Sequence, residues 1–344
     1  MSKPVRKELI DKYIADKKYK CIKKLNSGAF GKVYLGENTQ SGEKVAIKLE
    51  SQKENSKFLQ YEYYFYSKLS DGIGIPKVEY YGKEKKNNAL VMTLLGPSLE
   101  SFFSFCGKKF TLHTVCLLAD QMIDRIEFIH SKGIIHRDIK PENFLTGLLE
   151  ESSLIYLVDF GFSDLYRDSV TNEHIECVDN ETFYGTMDFS SCNALQNKTQ
   201  SRRDDIEALG YVLIYFLKGK LPWHNITAET SRQQADKVLE MKLSASINDL
   251  CKGIDDIFNV YMSHCRSLDF KETPDYRYLK DIFRFKLANM RIRLTSTFDW
   301  IPNVTWFEKG MQKITTDKRR SVRNKKNTQW KKQKFRKKKR NARR

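Results

Sequence analysis

The chain has 344 residues, of which 40% are hydrophobic and 12% aromatic, so it is long enough to bury one large core or two smaller ones. Its longest apolar run, from Ala208 to Leu217, covers about half of the ~20 residues that a bilayer span requires, which excludes a transmembrane helix. The seven cysteines include no C-x-x-C pair, which argues against a disulfide framework and against a zinc site.

The net charge of +18 comes almost entirely from one end of the chain. Residues 312–344 hold 17 lysines and arginines against a single acid, which leaves 44 basic and 42 acidic residues in 1–311. No apolar periodicity occurs from Thr315 onward, so we predict a disordered basic tail over 304–344. The N-terminus lacks an apolar signal segment, and Ser2 stands where myristoylation needs glycine, so we expect a soluble intracellular protein.

Residues 19–95 alternate short strand-like segments with turns. Four segments carry the β-branched and aromatic residues that are typical of strands: KCIKKL, KVYLGEN, KVAIKLE and NALVMTLL. One segment among them, KFLQYEYYFYSKLSDG, has helical character, and we expect it to end at a capping Gly72. The pattern predicts a small sheet accompanied by one main helix.

Beyond this region the sequence becomes helical. Five apolar residues recur at spacings of three and four in a segment that is expected to stop at Gly133: Val115, Leu118, Met122, Ile126 and Ile129. The segment DDIEALGYVLIYFLKG is apolar almost all round, which is typical of a central buried helix.

The change from strand-like to helical sequence falls at Gly96 and Pro97, after which Ser98 is placed to cap a helix. We therefore predict a hinge near Leu95. The expected fold class is α+β, with an N-terminal extension over 1–18, a small antiparallel-sheet lobe over 19–95 and a larger helical lobe over 96–303.

The stretch KLNSGAFGKVYLG, from Lys24 to Gly36, is similar to a glycine-rich phosphate loop, but Asn26 stands in the place of the first glycine. Gly28 and Gly31 remain, and glycine lets backbone N–H groups approach phosphate oxygens. Taken alone, the stretch is explained at least as well by a plain hairpin. Because asparagine accepts left-handed backbone angles, we expect Asn26 to weaken nucleotide binding only modestly.

Two residues fit a nucleotide site only in combination with others. Lys48, in VAIK, lies on the next expected strand, where its charge can reach nucleotide phosphates, although a surface lysine fits the pattern too. Glu62, the acid in YEYYFYSK, is either the ion-pair partner of that lysine or a solvated helix residue.

The segments IIHRDIKPENFL and IYLVDFGFSDLY carry the strongest signal in the chain. The first sets Asp138, Lys140 and Asn143 between apolar pairs that anchor a loop. The second places Asp159 at the end of an expected strand, sixteen residues after Asn143. Their order and spacing match the catalytic-loop and metal-binding signatures of protein kinases.

Phosphoryl transfer explains these residue types, because it depends on positioning and on charge neutralisation. Asp159 and Asn143 would hold Mg²⁺, while Lys48, held by Glu62, would grip the phosphates of ATP. Asp138 would orient the substrate hydroxyl and accept its proton.

Two neighbours of Asp138 receive different interpretations. Lys140 would steady the transferred phosphoryl group. His136 is the tempting general base, but beside an aspartate in a kinase signature it is interpreted as a hydrogen-bonded structural residue.

The chain resembles the casein kinase I family from about Tyr19 to Ile301. The matching pieces are LLGPSLE, LADQMI, IEFIHSKG, KPENFL, QSRRDDIEALGYVLIYF, LPW, LCKG, CRSL, PDYRYL and FDW. SCN, at 191–193, stands where most kinases have APE and where this family has Ser-Ile-Asn. The resemblance implies a two-lobed kinase that uses Mg-ATP, and Lys140 together with Thr186 implies serine or threonine as the acceptor.

The resemblance also assigns residues around the nucleotide. Met92 is implied as the gatekeeper, and Leu95 as the source of hinge backbone bonds to adenine. Val33 and Ala46 complete the implied nucleotide-binding set. Asp205, on the expected buried helix, is implied to brace the catalytic loop.

The activation segment departs from the family. Positions where the family carries anion-collecting basic residues read Asp164, Glu181 and Asp188, and Gln234 replaces another lysine. Carboxylates repel a phosphate that cations would attract, so the family's preference for acidic or phosphorylated substrates is not expected here.

Two hypotheses follow for these acids. Asp164 and Glu181 either pair with Arg137, supplying the negative charge that loop phosphorylation supplies elsewhere, or simply face water. Alternatively, the acids accept basic sequences, including the chain's own tail.

The tail contains two basic clusters that are similar to a two-part nuclear import signal, which favours an import receptor as partner and the nucleus as well as the cytoplasm as location. Trp330 and Phe335 lie among the bases and are suited to stack on RNA. Acidic proteins, an anionic membrane surface and plain solvation are equally open. Three function classes therefore remain: an active Ser/Thr kinase, an ATP-binding pseudokinase scaffold, and a nucleic-acid-binding protein. The sequence does not indicate an oligomeric state.

Overall fold

The computed structural model describes residues 11–28, 31–52, 57–179 and 182–301. Met1–Phe298 form one compact unit, and Asp299–Arg344 form a second, of which 299–301 are described. The predictions for the basic tail, and for Glu181, therefore lie outside the described residues. The first unit has an antiparallel sheet in its N-terminal part and helices in its C-terminal part, so the expected α+β class is confirmed.

Six antiparallel strands form the main sheet and are numbered β1 to β6 in chain order. Their spatial order is β1-β2-β3-β4-β6-β5. The four predicted strands are present as β2, β3, β4 and β6. The short β1 pairs with β2 and brings part of the expected N-terminal extension into the sheet. The strands are Tyr13–Ile14, Tyr19–Gly28, Gly31–Asn38, Lys44–Ser51, Val78–Glu84 and Asn87–Thr93.

The register of this sheet separates a core face from a second face that carries Lys48. Val33 pairs with Lys48, and Ala46 pairs with Met92. Opposite residues of an antiparallel pair share a face, and so do alternate residues of one strand, so these four side chains lie on the same face. The other face buries a cluster of apolar residues, among them Tyr34, Val45, Ile47, Ala89 and Val91.

The predicted helix between the strands is α1, Phe58–Lys68. Its expected end at Gly72 is wrong, because the helix stops at Lys68 and the N–H of Leu69 bonds back to the carbonyls of Phe65 and Tyr66. Gly72 instead allows the Phe128 ring to pack closely against the backbone. A Cβ atom on it would lie 2.2 Å from the Phe128 ring, so only glycine fits against the long helix that carries Phe128.

The helical part begins at α2, which Ser98 caps as predicted by accepting a hydrogen bond from the N–H of Ser101. The amphipathic helix is confirmed as α3, and Gly133 beyond it has a φ of +81°, as a left-handed cap requires. The helices are Leu99–Phe105, Leu112–Ser131, Cys192–Leu195, Arg202–Lys218, Ser231–Ser244, Ile247–Cys251, Ile257–Ser267 and Tyr276–Asn289, here α2 to α9.

The predicted central helix is α5, and it is buried along nearly its whole length. A capping box of Ser201 and Asp204 begins it, and Gly219, with a φ of +82°, ends it. Two short strand pairs hold the loops beside it: β7 (Ile134–Ile135) with β10 (Asp164–Leu165), and β8 (Phe144–Thr146) with β9 (Ile155–Leu157). No helix in the described part of the chain is long and apolar enough to cross a bilayer.

Candidate active site

Lys48 on β4 lies between two carboxylates from distant parts of the chain. Its Nζ is 2.6 Å from Oε2 of Glu62 on α1 and 2.8 Å from Oδ1 of Asp159. The expected ion pair between Lys48 and Glu62 is therefore present. It lies on the face of the sheet opposite the apolar cluster, next to the backbone of β3.

The pKa shifts follow from burial and from this charge triad. Burial raises the pKa of the Glu62 carboxyl to about 7, although the ammonium of Lys48 opposes the shift. Burial disfavours the charged form of Lys48, but the two carboxylates outweigh it and raise the pKa of the ammonium. Burial likewise opposes ionisation of Asp159, yet Lys48 lowers its pKa, so this carboxylate stays charged at neutral pH.

Tyr66, which the sequence analysis did not single out, joins α1 to the segment of Asp159. Its hydroxyl accepts a 3.1 Å hydrogen bond from the N–H of Asp159, whose φ is +68°. The ring of Phe160 packs edge-on between Tyr66 and His136, at centroid distances of 5.0 and 5.2 Å. Tyr66 follows Glu62 by four residues on one face of the helix, which is the signal that would have identified it.

The residues implied for the nucleotide lie around Lys48. Val33, Ala46 and Met92 share its face of the sheet, as the register shows. Leu95 follows β6 and is partly buried, and no hydrogen bond joins its backbone to another described residue. Its N–H and C=O are therefore available for the predicted hinge bonds.

The glycine loop is a hairpin between β2 and β3, and Gly28 pairs with Gly31 across it. Gly31 has a φ of +138°, and a Cβ atom there would lie 2.3 Å from the carbonyl oxygen of Leu49, so glycine is required. The expectation of left-handed angles at Asn26 is wrong. Asn26 has a negative φ and pairs with Val33 next to a bulge in β2. Since any residue adopts strand angles, asparagine fits this position without backbone strain.

Asp138 is the centre of a second cluster, in the loop that follows β7. Its Oδ2 lies 2.6 Å from Nζ of Lys140 and 3.2 Å from Nδ2 of Asn143. Its Oδ1 accepts a 2.7 Å hydrogen bond from the hydroxyl of Thr186, which in turn accepts one from Lys140. The structure thus brings together Asp138, predicted for the substrate hydroxyl, and three residues to which the sequence analysis gave other roles, although Thr186 is 48 positions away in the chain.

Asp205 on α5 supports the loop that carries Asp138, as expected. Its carboxylate accepts the N–H of His136 at 2.7 Å and the N–H of Arg137 at 2.9 Å. Arg137 has a φ of +65°, an unfavourable value for a residue with a Cβ atom, and these bonds hold it there. His136 is structural, as interpreted from the sequence, because it is buried and its Nε2 bonds to the carbonyl of Val158 at 3.1 Å.

His130 and Tyr276, which the sequence analysis did not single out, connect Asp205 to α9. His130 on α3 bonds through Nε2 to Asp205 at 3.0 Å and through Nδ1 to the hydroxyl of Tyr276 at 2.7 Å. Burial lowers the pKa of His130, so it is neutral and donates from Nε2 to the carboxylate. Nδ1 then accepts from the tyrosine. No local pattern signals this pairing across 146 residues.

The predicted metal ligands fit Mg²⁺ by their chemistry. The amide nitrogen of Asn143 donates to Asp138, which leaves its amide oxygen for a cation, and the N–H of Val158 bonds to the carbonyl of Asn143 beside Asp159. Mg²⁺ prefers one or two protein oxygens together with phosphate and water oxygens. Accordingly, the described residues contain no group of three or more His, Cys, Asp or Glu side chains that would hold a metal alone.

The activation segment separates the acids that the sequence grouped together. Asp164 forms the expected ion pair with Arg137, at 3.1 Å, and Arg137 also bonds to the carbonyl of Phe162 and covers the ring of Tyr184. Asp188 lies elsewhere, with its carboxylate 3.6 Å from Nε2 of His224.

Gln234 on α6 makes a hydrogen bond to the backbone. It bonds through Nε2 to the carbonyl of Ile226 at 2.8 Å and so ties α6 to the loop before it.

The two clusters set the elements of a phosphoryl-transfer site side by side: a cation between carboxylates, metal-binding oxygens, and a hydrogen-bonded aspartate. Residues 19–330 match the family model described as protein kinase domain, which is most of the chain. We conclude that this chain belongs to the protein kinase family.

Proposed function

We propose that the protein is an active serine/threonine kinase of casein kinase I type, which transfers the γ-phosphoryl group of Mg-ATP to protein hydroxyls. The observation that carries the proposal is the network around Asp138, in which Lys140, Asn143 and Thr186 all hold one carboxylate. An inactive scaffold has no need for this network. The ion pair of Lys48 with Glu62 supports the same reading on the nucleotide side.

Each cluster has a task in this reaction. Lys48 binds the α- and β-phosphates and is held in position by Glu62 and Asp159. Asp138 orients the hydroxyl of the substrate and accepts its proton, while Lys140 neutralises charge on the transferred group. Asn143 and Asp159 would hold Mg²⁺, which would supply charge neutralisation for the phosphates of ATP.

The acceptor and the subfamily are inferred from the sequence. Lys140 and Thr186, which are characteristic of serine/threonine kinases by resemblance, contact each other at 3.1 Å. The casein kinase I type rests on the resemblance from about Tyr19 to Ile301, including SCN at 191–193, where Ser191 caps the short α4.

The test compares wild type with Asp138→Asn in the phosphorylation of casein and of the protein itself by labelled ATP. We expect the variant to lose at least about 10²-fold in rate, the range of general-base catalysis. Asp236→Asn, an exposed aspartate on α6, is the matched control and should retain full activity. Equal rates for Asp138→Asn and wild type would contradict the proposal, and label on tyrosine would contradict the acceptor class.

A second part of the proposal concerns substrate sequence. The carboxylates of Asp164 and Asp188 are 56% and 41% exposed, so both are accessible to a bound polypeptide. Because they replace cations, we propose a preference for basic over acidic or phosphorylated peptides. The tail at 312–344 is then a possible internal competitor.

Kinetics on matched basic and acidic peptides test this preference, with full-length protein and with a chain ending at Gly310. We expect a lower KM for the basic peptide, and a further decrease when the tail is removed. A persistent preference for phosphorylated acidic peptides would overturn the idea. Import into the nucleus and nucleic-acid binding through the tail remain proposals of the sequence alone.

A further inference from the structure

Lys242 on α6 is completely buried, with 0% of its surface exposed. Its Nζ donates hydrogen bonds to the carbonyl oxygens of Ser190, at 2.6 Å, and of Met187, at 3.1 Å. Both carbonyls belong to the end of the activation segment. A lysine on α6 therefore holds the backbone of a loop that is more than 50 residues away in the chain.

Aromatic rings and backbone oxygens surround this amino group. It lies over the rings of Tyr211 and Trp223, 4.4 and 4.7 Å from their centroids. Removing an ammonium from water costs several kcal/mol, and aromatic faces and carbonyl oxygens offset part of that cost. The carboxylate of Glu207 also attracts it. A buried lysine is therefore accommodated at a site that an apolar side chain would fill without this penalty.

The carbonyls that Lys242 binds belong to a tight turn over 186–190. The N–H groups of Phe189 and Ser190 and the hydroxyl of Ser190 all donate to the carbonyl of Thr186, at 2.9 to 3.0 Å. The indole N–H of Trp223 donates to the carbonyl of Asp188 in the same turn, at 2.7 Å.

At the head of this turn, the hydroxyl of Thr186 donates to Asp138. A continuous chain of hydrogen bonds thus runs from Lys242 through the turn to the carboxylate that faces the substrate. None of these bonds involves Lys48, Glu62 or the glycine hairpin.

We propose that Lys242 is a positioning residue for the protein substrate, because it fixes the turn over 186–190 and through Thr186 the orientation of Asp138. The inference rests on the proposed kinase function and assigns a role within it. It requires that loss of the Lys242 amino group impair the polypeptide side of the reaction while ATP binding stays intact.

The primary test is Lys242→Met, which shortens the unbranched side chain by one atom and removes the charge and its donors. Two carbonyls then lose their partner, and a misplacement of about 1 Å near a reacting group lowers rates by up to ~10²-fold. We expect kcat/KM for a peptide to fall by about 10- to 100-fold, with the KM for ATP within about twofold of wild type. Lys237→Met, an exposed lysine on the same helix, is the matched control.

A second variant tests the same turn without removing the buried amino group. Trp223→Phe keeps an aromatic ring beside Lys242 and deletes the N–H that bonds to Asp188. We expect a smaller change of the same kind, about three- to tenfold in kcat/KM for the peptide, with the KM for ATP unchanged. This variant also serves if Lys242→Met does not fold.

Hydrogen exchange supplies a readout that does not depend on activity. The amides of Phe189 and Ser190 should exchange at least about tenfold faster in Lys242→Met than in wild type, and no faster in Lys237→Met. Equal exchange in all three proteins, or an equal loss for ATP and peptide, would overturn the inference. If wild type phosphorylates no peptide, the proposed function fails, while faster exchange in Lys242→Met still supports the anchoring of the turn.

Discussion

The nucleotide side and the substrate side of this site are held together in different ways. Around Lys48, three charged side chains meet directly, and each belongs to a short sequence motif. Around Asp138, the geometry depends on a backbone turn that a buried lysine supports from another helix. Direct charge pairs position phosphate ligands, whereas a supported turn positions a polypeptide, so the two halves should respond to mutation independently.

The two sides also differ in charge. The nucleotide side keeps the cation that a triphosphate requires. The substrate side presents Asp164 and Asp188 where the resemblance leads one to expect basic residues. The chemistry of phosphoryl transfer constrains the first side, since every substrate brings the same phosphates, but it leaves the second free to follow the sequence of the partner.

The largest effect is expected from Lys48→Met, which should disable the nucleotide side alone. Deleting a cation that stabilises transferring phosphate lowers kcat/KM for ATP by about 10²- to 10³-fold. The KM for a peptide should stay near that of wild type, and steady-state kinetics with each substrate varied in turn will measure both. Glu62, left without a cation, should take up a proton at neutral pH because burial already raises its pKa to about 7.

Lys44→Met provides the control for this prediction, because Lys44 lies on the same strand and pairs with Glu37 away from the site. An equal loss in both variants would mean that the strand, rather than the charge triad, was damaged. A strong rise in the peptide KM of Lys48→Met would show that the two sides are coupled.

A pH dependence of stability is expected from Lys242. Burial lowers its pKa to about 7, with attraction from Cys192, Glu207 and Asp188 and repulsion from Arg266 acting in addition. Between that value and the ordinary pKa of lysine, the unfolded chain binds more protons than the folded one, so the free energy of unfolding rises with pH. The slope reaches at most about 1.4 kcal/mol per pH unit.

Urea unfolding of wild type and Lys242→Met between pH 6 and 9 measures this slope as a difference. The variant should lack the rise above pH 7, while groups common to both proteins cancel. Since a neutral amine still donates two hydrogen bonds, the carbonyls keep their partner, and the peptide KM should not follow the same curve. Parallel stability profiles for the two proteins would refute the shifted pKa.

A smaller effect is expected from Asp164→Ala, which removes the ion pair with Arg137. Because the Asp164 carboxylate is 56% exposed, the pair contributes no more than ~1 kcal/mol, which corresponds to about a fivefold change. We expect kcat/KM for a peptide to fall by up to about that factor, and less at high salt.

Asp236→Ala, which breaks the exposed pair with Arg232 on α6, should leave the kinetics unchanged and is the control. The double variant with Glu181→Ala tests whether both acids support Arg137. Unchanged activity in that double variant would mean that neither acid contributes to activity through Arg137.

The sequence predicted the site where function depends on residues close together in the chain. Asp138, Asn143 and Asp159 were found because motif spacing records their chemistry. The α3 helix was found because burial of one face imposes a period, and α5 because burial all round leaves a nearly continuous apolar segment. Lys242 and the pairing of His130 with Tyr276 were not found, since a single lysine or tyrosine in a polar helix carries no local signal of a partner 52 or 146 residues away.

Glycine was the least reliable local guide. Gly133 ends its helix as predicted, and Gly219 also ends one, because both adopt a positive φ. Gly72 does not end a helix. Glycine is required there because the ring of Phe128, on another helix, leaves no room for a Cβ atom. A glycine required by packing and a glycine required by backbone angle look identical in a sequence.

The smallest effect is expected from Asn26→Gly, which restores the usual glycine loop. Asn26 lies in β2 opposite Val33, and its Oδ1 accepts a 2.7 Å hydrogen bond from the N–H of Ser27. Glycine would remove this bond and loosen an exposed strand, at a cost of about 0.5–1 kcal/mol. It would gain no relief of strain, since Asn26 has a negative φ. Titration of ATP and steady-state kinetics should therefore give a KM for ATP within about threefold of wild type, in either direction. A thousandfold gain in activity would mean instead that asparagine blocks the phosphates, and the nucleotide side would then be the impaired half of the site.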